Sequence, residues 1–173
     1  TGTLTENRMT ARKVFLGGQF RSLNDIDPAA ETTEPYRKFF EAALFCHDLK
    51  TVDDNNGKRM VGDPTEIALV AMAQEALPGV QISPHVDEIP FDSERRRVST
   101  VHAFKDGMVL YTKGALETVL PLCLSVLASD GVEPITDSWR QHFLRVQDAM
   151  GETGLRVLSM AYRDVGSGYR RND

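Results

Sequence analysis

The fold is decided by residues 86–114, which read VDEIPFDSERRRVSTVHAFKDGMVLYTKG. Three runs, at 86–91, 98–104 and 108–112, are predicted as β-strands. The Lys-Asp-Gly sequence at 105–107 predicts a hairpin turn between the last two runs. Strands that follow one another in this way predict a mostly antiparallel sheet.

Two helices are predicted before these strands. The first has a face made of Tyr36, Phe40, Ala43 and His47, with Pro35 in its first turn. The second begins with Asp63 as its cap and Pro64 in its first position, and Glu66 follows three residues after the cap, as in a capping box. Residues 67–73 are apolar nearly all round, so this helix is expected to be buried until it stops near Pro78.

The C-terminal part of the chain continues the mixture of helices and strands. A helix is expected over about 115–127, bent or broken by Pro121, because proline lacks the backbone N–H that a helix interior needs. One face of an amphipathic helix, which ends near 151–154, is formed by Trp139, Phe143, Val146 and Met150. Residues 155–162 are apolar on both faces and predict a central strand.

Two further segments complete the prediction of the fold. Residues 13–16 and 19–23 flank a Gly-Gly pair and predict a hairpin, and the polar residues 51–58 predict a turn region. Strand runs mixed with helices predict an α+β fold, in which helices flank a mostly antiparallel, twisted β-sheet.

The composition is that of an ordinary globular domain. The chain has 173 residues, 41% of them hydrophobic, which is enough for one domain with a sizeable core. The net charge of -5 argues against nonspecific nucleic-acid binding, which needs a basic face. Cys46 and Cys123 lie in separate predicted helices and are expected to be reduced, with a disulfide as the alternative. No apolar run approaches the roughly 20 residues that span a bilayer.

General motifs for catalysis and cofactor binding are absent from the sequence. There is no G-x-x-x-x-G-K-[ST] phosphate loop, no G-x-G-x-x-G after a strand, and no nucleophile elbow. No His, Cys, Asp and Glu residues have the spacing of metal ligands, and His85 and His102 are interpreted as surface or strand residues.

The functional signal lies in five short stretches, which are TGTLT at 1–5, VGDPTE at 61–66, PFDSERRRVS at 90–99, KGALE at 113–117 and GLRVL at 154–158. In this order and spacing they resemble the nucleotide-binding domain of the P-type ATPases, in particular the type II cation pumps such as the calcium pumps and their bacterial relatives. The resemblance extends over nearly the whole chain. It implies a hinge from the phosphorylation domain at 1–10, an ATP-binding domain at 11–163 and an exit hinge or tail at 164–173.

The resemblance also implies a function that is divided between domains. In the family this domain binds ATP, with Mg²⁺ on the phosphates, and presents the γ-phosphate to an Asp in a separate domain, which drives cation transport. That Asp belongs to an Asp-Lys pair directly before TGTLT, so these 173 residues alone are expected to bind nucleotide without completing a reaction. The implied partners are the phosphorylation and actuator domains and the transmembrane helices of a parent pump. This domain is expected to be a soluble monomer when isolated and to lie on the cytoplasmic side of the membrane.

The resemblance implies that six residues bind ATP, namely Glu66, Phe91, Arg96, Lys113, Gly114 and Arg156. Phe91 matches the ring on which adenine stacks, whereas an aromatic residue on a strand is ordinarily part of a core. Glu66 matches the acceptor for the adenine amino group, although the capping box offers it a purely structural role. Lys113 matches a cation deep in the adenine pocket, where the alternative is a solvated side chain. Gly114 would let a ligand approach the backbone closely.

The remaining two candidates are assigned to the phosphates. Arg96 matches a nucleotide-contacting Lys of the family, although three arginines in a row are usually a solvated strand end. Because neighbours on a strand point to opposite faces, Arg95, Arg96 and Arg97 cannot all face one ligand, and either neighbour could replace Arg96. Arg156 stands in an apolar stretch and must reach solvent or an anion. This sequence departs from the family pattern in having Leu116 where Pro is common, and Ser93 where calcium pumps often have Arg.

Two other functions are alternatives. A phosphatase of the haloacid-dehalogenase class also contains a TGTLT-like segment, but it requires an Asp in front of that segment. A non-catalytic interaction module would have no reason to keep Phe91, Glu66, Lys113 and Arg156 together. A nucleotide titration separates an interaction module from an ATP-binding domain.

Overall fold

The computed structural model describes residues 8–23, 36–54 and 57–171. The strands in this part of the chain are β1 (Lys13–Leu16), β2 (Gln19–Ser22), β3 (Lys50–Asp54), β4 (Gly57–Val61), β5 (His85–Asp92), β6 (Arg97–Phe104), β7 (Gly107–Gly114), β8 (Ser125–Ala128), β9 (Gly131–Pro134) and β10 (Ser159–Asp164). The α-helices are α1 (Tyr36–Phe45), α2 (Pro64–Ala76), α3 (Leu116–Val119) and α4 (Asp137–Glu152). The α+β prediction is confirmed, while the predictions for TGTLT and Pro35 lie outside the described residues.

A four-stranded antiparallel sheet with the order β10-β7-β6-β5 forms the centre of the domain. The three strands predicted from residues 86–114 are confirmed as β5, β6 and β7. The turn between β6 and β7 contains Gly107 at a φ of 143°, a backbone conformation that glycine adopts without a steric cost. The strands β1-β2, β3-β4 and β8-β9 form three separate hairpins.

Helices α1 and α2 pack against each other, and α1 also contacts β7 and β10. Phe40 of α1 and Tyr111 of β7 are fully buried in the apolar cluster between these elements. The prediction that α2 is buried all round is only partly right, because Val70 and Ala73 are buried whereas Ala71 is exposed. Among the described residues no helix is long and apolar enough to cross a membrane.

Among the described residues one carboxylate is buried, that of Glu41 of α1, which is 3% exposed. It accepts hydrogen bonds from Tyr111 Oη at 2.8 Å, Arg37 Nε at 2.7 Å and Lys38 Nζ at 3.1 Å. Although burial alone would raise the pKa of Glu41, these three donors hold it below its usual value. The carboxylate therefore ties α1 to β7 inside an otherwise apolar contact.

Both cysteines carry free thiols in the structure. Cys46 follows α1 directly, is fully buried, and places its Sγ 3.5 Å from the carbonyl oxygen of Tyr111. Burial raises the pKa of this thiol to about 11. Cys123 is half-buried and lies after the segment that contains Pro121.

The helix predicted over 115–127 is wrong beyond Leu122. Helix α3 has four residues, a 3-10 turn follows at Leu120–Leu122, and the chain then forms the β8-β9 hairpin. Pro121 cannot donate a helical hydrogen bond, and it ends the helix rather than bending it. Val126 and Ala128 are buried whereas Ser125 is exposed, which is the alternation of a short strand.

The central strand predicted at 155–162 is only partly right, because a strand is present but it starts later and is not central. Strand β10 begins at Ser159 and forms an edge of the sheet, and residues 155–158 have no regular secondary structure. Leu155, Val157 and Leu158 are each only half-buried. Their apolar character comes from an extended connection between α4 and β10, and not from a strand covered on both faces.

The polar region 51–58 forms most of the β3-β4 hairpin and is not simply a turn. Lys50, Thr51, Val52 and Asp53 are exposed, so this ribbon has no buried face that hydropathy could reveal. The β1-β2 hairpin was predicted correctly. The amphipathic helix is confirmed as α4, where Thr136 accepts a capping bond from the backbone N–H of Trp139 at 3.3 Å, and Val146 and Met150 are buried.

Candidate functional site

The four quoted motifs that lie within the described residues converge at one end of the central sheet. The strand register aligns Asp92 of β5, Arg97 of β6, Gly114 of β7 and Ser159 of β10 in a row across this end. Phe91 precedes this row, Arg96 occupies the β5-β6 turn, and Arg156 lies in the connection that leads into β10. Stretches that are far apart in sequence thus share one edge of the molecule.

The most buried contact of the site joins Lys113 at the end of β7 to Glu66 in the first turn of α2. Lys113 Nζ lies 2.8 Å from Glu66 Oε1, and the two side chains are only 5% and 14% exposed. Glu66 was predicted to complete a capping box, but its carboxylate faces the sheet, where Oε2 also accepts a 3.4 Å bond from the backbone N–H of Asp48. Asp63 does cap α2, accepting a 2.7 Å bond from the backbone N–H of Thr65.

The electrostatics of Glu66 reflect a partly dehydrated carboxyl group. Burial raises its pKa, and the neighbouring Asp48 carboxylate raises it further, while Lys113 acts in the opposite direction. A Lys ammonium has three N–H donors, and the bond to Glu66 uses one of them. The pair therefore combines an oxygen acceptor with a cationic donor in a region that is mostly shielded from water.

Phe91 lies on edge strand β5 and is 63% exposed. The alternative that its ring belongs to the core is therefore wrong. Its ring is not stacked on any other ring in the part of the chain that the structure describes. An aromatic face that is left in water at the end of a strand offers a flat apolar surface to a ligand.

The arginine turn, residues 92–97, is built by Asp92. Its Oδ1 accepts bonds from the backbone N–H groups of Glu94 and Arg95, both at 2.9 Å, and its carbonyl accepts from the N–H of Arg96 at 2.6 Å. Arg96 has a φ of 49°, the only positive value of a non-glycine residue in the described part of the chain. This left-handed conformation gives Arg96 a direction that an extended strand would not.

The three arginines have different surroundings. Arg96 is exposed and its Nη1 lies 3.3 Å from Glu117 Oε1, whereas Arg97 Nη1 donates to the carbonyl of Arg95 at 3.3 Å. Arg95 is half-buried, and its Nη1 is enclosed without a hydrogen-bond partner among the described residues. Of the three, Arg96 is the most exposed to solvent.

Gly114 is needed for contact with protein backbone. A Cβ at this position would lie 2.5 Å from the carbonyl oxygen of Arg96 and 2.8 Å from the Cα of Arg97. Glycine thus lets β7 approach the arginine turn closely, which is a structural reason for the Lys-Gly pair. Its predicted role in letting a ligand approach stays a prediction.

Arg156 is exposed and does not lie on a strand, which corrects its predicted location. It is near Asp63, the cap of α2. Burial would raise the pKa of the Asp63 carboxyl, but hydrogen bonds from Thr65 and the charge of Arg156 hold it below its usual value. Arg156 is therefore a solvent-facing cation next to the helix end that carries Glu66.

Comparison with known proteins decides the family. A family model described as "P-type ATPase, cytoplasmic domain N" matches residues 35–172. The chain belongs to this N-domain family. The resemblance that was predicted from five short stretches is confirmed.

Relatives of this N domain are transport ATPases by name. It is 32% identical over 173 residues to "Calcium-transporting ATPase 1" of Bacillus cereus, covering 96% of this chain and 18% of that protein. It is 32% identical to "Cation-transporting ATPase pma1" of Synechocystis, covering 95% of this chain and 20% of that protein. It is 33% identical to "Probable cation-transporting ATPase F" of Mycobacterium tuberculosis, covering 92% and 19%. The chain thus spans about a fifth of the length of these relatives.

Three acidic residues next to the candidate residues were not predicted from the sequence to belong to the site, although Asp63 was predicted as the cap of α2. Asp48 lies beside Glu66, Asp63 lies beside Arg156, and Glu117 pairs with Arg96. A signal for Glu117 was present, because it is the last residue of the quoted KGALE stretch. Asp48 lies outside every quoted stretch, and only the fold brings it to α2.

Proposed function

We propose that this N domain binds ATP with its adenine stacked on Phe91, and presents the γ-phosphate to a catalytic Asp in another domain of a P-type ATPase. One observation carries the proposal. An aromatic ring that is 63% exposed stands at the same sheet end as a buried Lys-Glu pair and an exposed arginine. The aromatic ring can stack on the base, the Glu carboxylate can accept from the amino group of the base, and the cations can bind the phosphates.

The base end of the site would be formed by Phe91, Glu66 and Lys113. Stacking of a base on an aromatic ring contributes about 1–3 kcal/mol in nucleic-acid systems and tolerates any base. Discrimination needs a polar partner, and Glu66 supplies a carboxylate that can accept from an exocyclic amino group. Because Glu66 is mostly shielded from water, a base without that amino group would leave its oxygen less well satisfied.

The phosphate end would be formed by Arg96 and Arg156. Both cations are exposed, so each would bind phosphate oxygens through charge-assisted hydrogen bonds that salt weakens. The described residues contain no group of three His, Cys, Asp or Glu side chains that could hold a metal ion. Mg²⁺ would be bound with the nucleotide phosphates, where it neutralises charge.

In this proposal the domain holds and delivers nucleotide. Phosphoryl transfer is mostly positioning and charge stabilisation, so one domain can bind ATP while another carries the acceptor. The whole protein would then be an ATP-driven cation pump in a membrane, with this domain on the cytoplasmic side. Its partners would be the phosphorylation and actuator domains and the transmembrane helices of the same chain.

A calorimetric titration of the 173-residue chain tests the proposal. Adenosine and ATP are each expected to bind weakly, while ribose triphosphate, which has no base, is expected to show no measurable binding. GTP is a further comparison, since guanine has a carbonyl oxygen at the ring position where adenine has its amino group.

The proposal is overturned if the chain binds none of these ligands, because an ATP-binding domain must retain affinity for the base. Equal affinities for ATP and ribose triphosphate would instead show that phosphates dominate, which contradicts stacking on Phe91. Tryptophan is absent from the base end, since the single Trp of the chain is Trp139 of α4. A Phe91→Trp variant would therefore add a fluorescent reporter at the proposed contact.

A further inference from the structure

Glu117 occupies a defined position next to Arg96. Its Oε1 lies 3.3 Å from Arg96 Nη1, and its Oε2 accepts a 3.5 Å bond from Gln147 Nε2 of α4. The Arg96 and Glu117 side chains are 52% and 46% exposed. The carboxylate is thus held between two elements, while the ion pair itself remains open to solvent.

The backbone of Arg96 is fixed independently of this ion pair. Its N–H donates to Asp92 at 2.6 Å, and its carbonyl accepts from the N–H of Ala115 at 3.1 Å and from Thr118 Oγ1 at 3.5 Å. Gly114 allows this close approach. Because the left-handed backbone is held by so many contacts, only the side chain of Arg96 is free to exchange partners.

We propose that Glu117 is a built-in competitor for phosphate at Arg96, and so a residue that sets how strongly this N domain favours ATP and ADP over AMP. The inference rests on the proposed function of ATP binding. A carboxylate and a phosphate present the same kind of oxygen to a guanidinium, and arginine does not lose its charge. Glu117 therefore neutralises Arg96 while the site is empty, and an incoming phosphate has to replace it.

The geometry fits a contact that can be displaced. A single bond of 3.3 Å between half-exposed side chains is weak, whereas a buried bidentate pair would not open for a ligand. The base end is separate, because Lys113 has its own carboxylate in Glu66. The effect of Glu117 should therefore depend on the outer phosphates and leave adenosine binding unchanged.

The test compares Glu117→Gln with the wild-type chain, using AMP, ADP and ATP in low salt. Glu117→Gln is expected to tighten ATP and ADP binding by about two- to fivefold, the range that exposed ion pairs allow. Its affinity for AMP should stay at the wild-type value, and the gain should shrink at high salt. Glu75→Gln is the matched control, because Glu75 is an exposed carboxylate near the far end of α2 and changes the net charge equally.

A double-mutant cycle with Arg96→Gln makes the test specific. Glu117→Gln should have no effect on ATP affinity in the Arg96→Gln background, because the cation for which Glu117 competes is gone. The inference is overturned if Glu117→Gln binds ATP more weakly than the wild type, or if the ratio of ATP to AMP affinity is unchanged. It is also overturned if Glu117→Gln still tightens ATP binding in the Arg96→Gln background. If the wild-type chain binds no adenine nucleotide, the proposed function fails together with the inference. If the wild-type chain binds adenine nucleotides but Glu117→Gln leaves the ratio of ATP to AMP affinity unchanged, only the inference about Glu117 fails.

Discussion

At the scale of single residues, Phe91 is expected to contribute to ATP binding but little to the stability of the fold. An aromatic residue that is 63% exposed contributes little to the core, so Phe91→Ala is expected to change the free energy of unfolding by less than about 0.5 kcal/mol. The same change should weaken ATP binding by about 1–3 kcal/mol, the value of a lost stack. Phe91→Trp should retain binding. Thermal melts and calorimetry on the same samples measure both effects.

Phe20 provides the matched control for this prediction. It is 51% exposed on the β1-β2 hairpin and is not one of the proposed site residues, so Phe20→Ala should leave ATP affinity unchanged. A large drop in melting temperature for Phe91→Ala at unchanged affinity would contradict the stacking role. That outcome would return Phe91 to the structural role that an aromatic strand residue ordinarily has.

At the scale of secondary-structure elements, the start of α2 meets β7 through Lys113 and lies near the 154–158 connection through Arg156. Lys113→Ala is expected to weaken AMP, ADP and ATP alike and to lower the melting temperature, because it leaves Glu66 shielded and unpaired. Arg156→Ala is expected to spare AMP and to weaken ADP and ATP, since a charge-assisted bond contributes about 1.5–3 kcal/mol when it forms. Titrations with the three nucleotides at two salt concentrations measure the difference.

The two substitutions should also differ in stability. Arg156 is exposed, so its removal is expected to leave the melting temperature within a few degrees of wild type. Arg145→Ala on the outer face of α4 is a control for loss of an exposed cation. If Lys113→Ala and Arg156→Ala weaken the binding of AMP, ADP and ATP in the same proportions, the assignment of base and phosphate ends is wrong.

Several elements were predicted from the sequence to within a few residues. Helix α4 has one buried and one exposed face. Strands β5 to β7 are separated by the polar turns at 93–96 and 105–106, although β5 is mostly exposed and β6 mostly buried. Hairpins β3-β4 and β8-β9 were missed for different reasons. The described residues of β3 and β4 are mostly exposed, so backbone pairing forms that hairpin without a hydrophobic signal. Strand β8 buries Val126 and Ala128, but it has only four residues and was assigned to the preceding helix. Apolar residues at 155–158 gave a false strand, because the end of a sheet also buries extended chain.

The site was predictable as a set of residues but not as a set of contacts. The five stretches gave Glu66 and Lys113 separately, and only the pairing of α2 with β7 shows that they share one ion pair. The left-handed backbone of Arg96 could not be predicted, because arginine has no preference for it. Asp92 imposes that conformation through a turn whose bonds depend on the local fold.

At the scale of the whole molecule, His102 makes stability depend on pH. Its ring is 5% exposed, lies 5.2 Å from His85 and from Phe45, and its Nε2 is buried without a partner among the described residues. Burial lowers the pKa of His102, so the unfolded chain binds the proton more readily. The stability due to neutral His102 is therefore fully present above about pH 6.5, the unfolded value. It is lost as pH falls through the lower pKa of the folded state.

The variant His102→Phe keeps an aromatic ring in this position and removes the titration. The wild-type chain should lose more stability than His102→Phe between about pH 7.5 and pH 5, because the other titrating groups are common to both. Denaturant unfolding at several pH values measures the difference. If the difference in free energy of unfolding between the wild type and His102→Phe stays constant over this pH range, protonation of His102 does not limit stability in acid.

The 173-residue chain is also expected to bind ATP without hydrolysing it or becoming phosphorylated. No Asp among its 173 residues is followed by Lys, the pair that the resemblance places directly before TGTLT. In our proposal every site residue binds the nucleotide and none accepts a phosphoryl group. The purified chain should therefore take up no label from γ-labelled ATP and release no phosphate above background.

Phe91→Ala is the control for contaminants, since an activity of this chain should fall with its affinity for ATP, whereas the activity of a contaminating ATPase should not. Labelling that follows the chain concentration and disappears in Phe91→Ala would mean that this domain carries chemistry of its own, and that the division of labour proposed here is wrong.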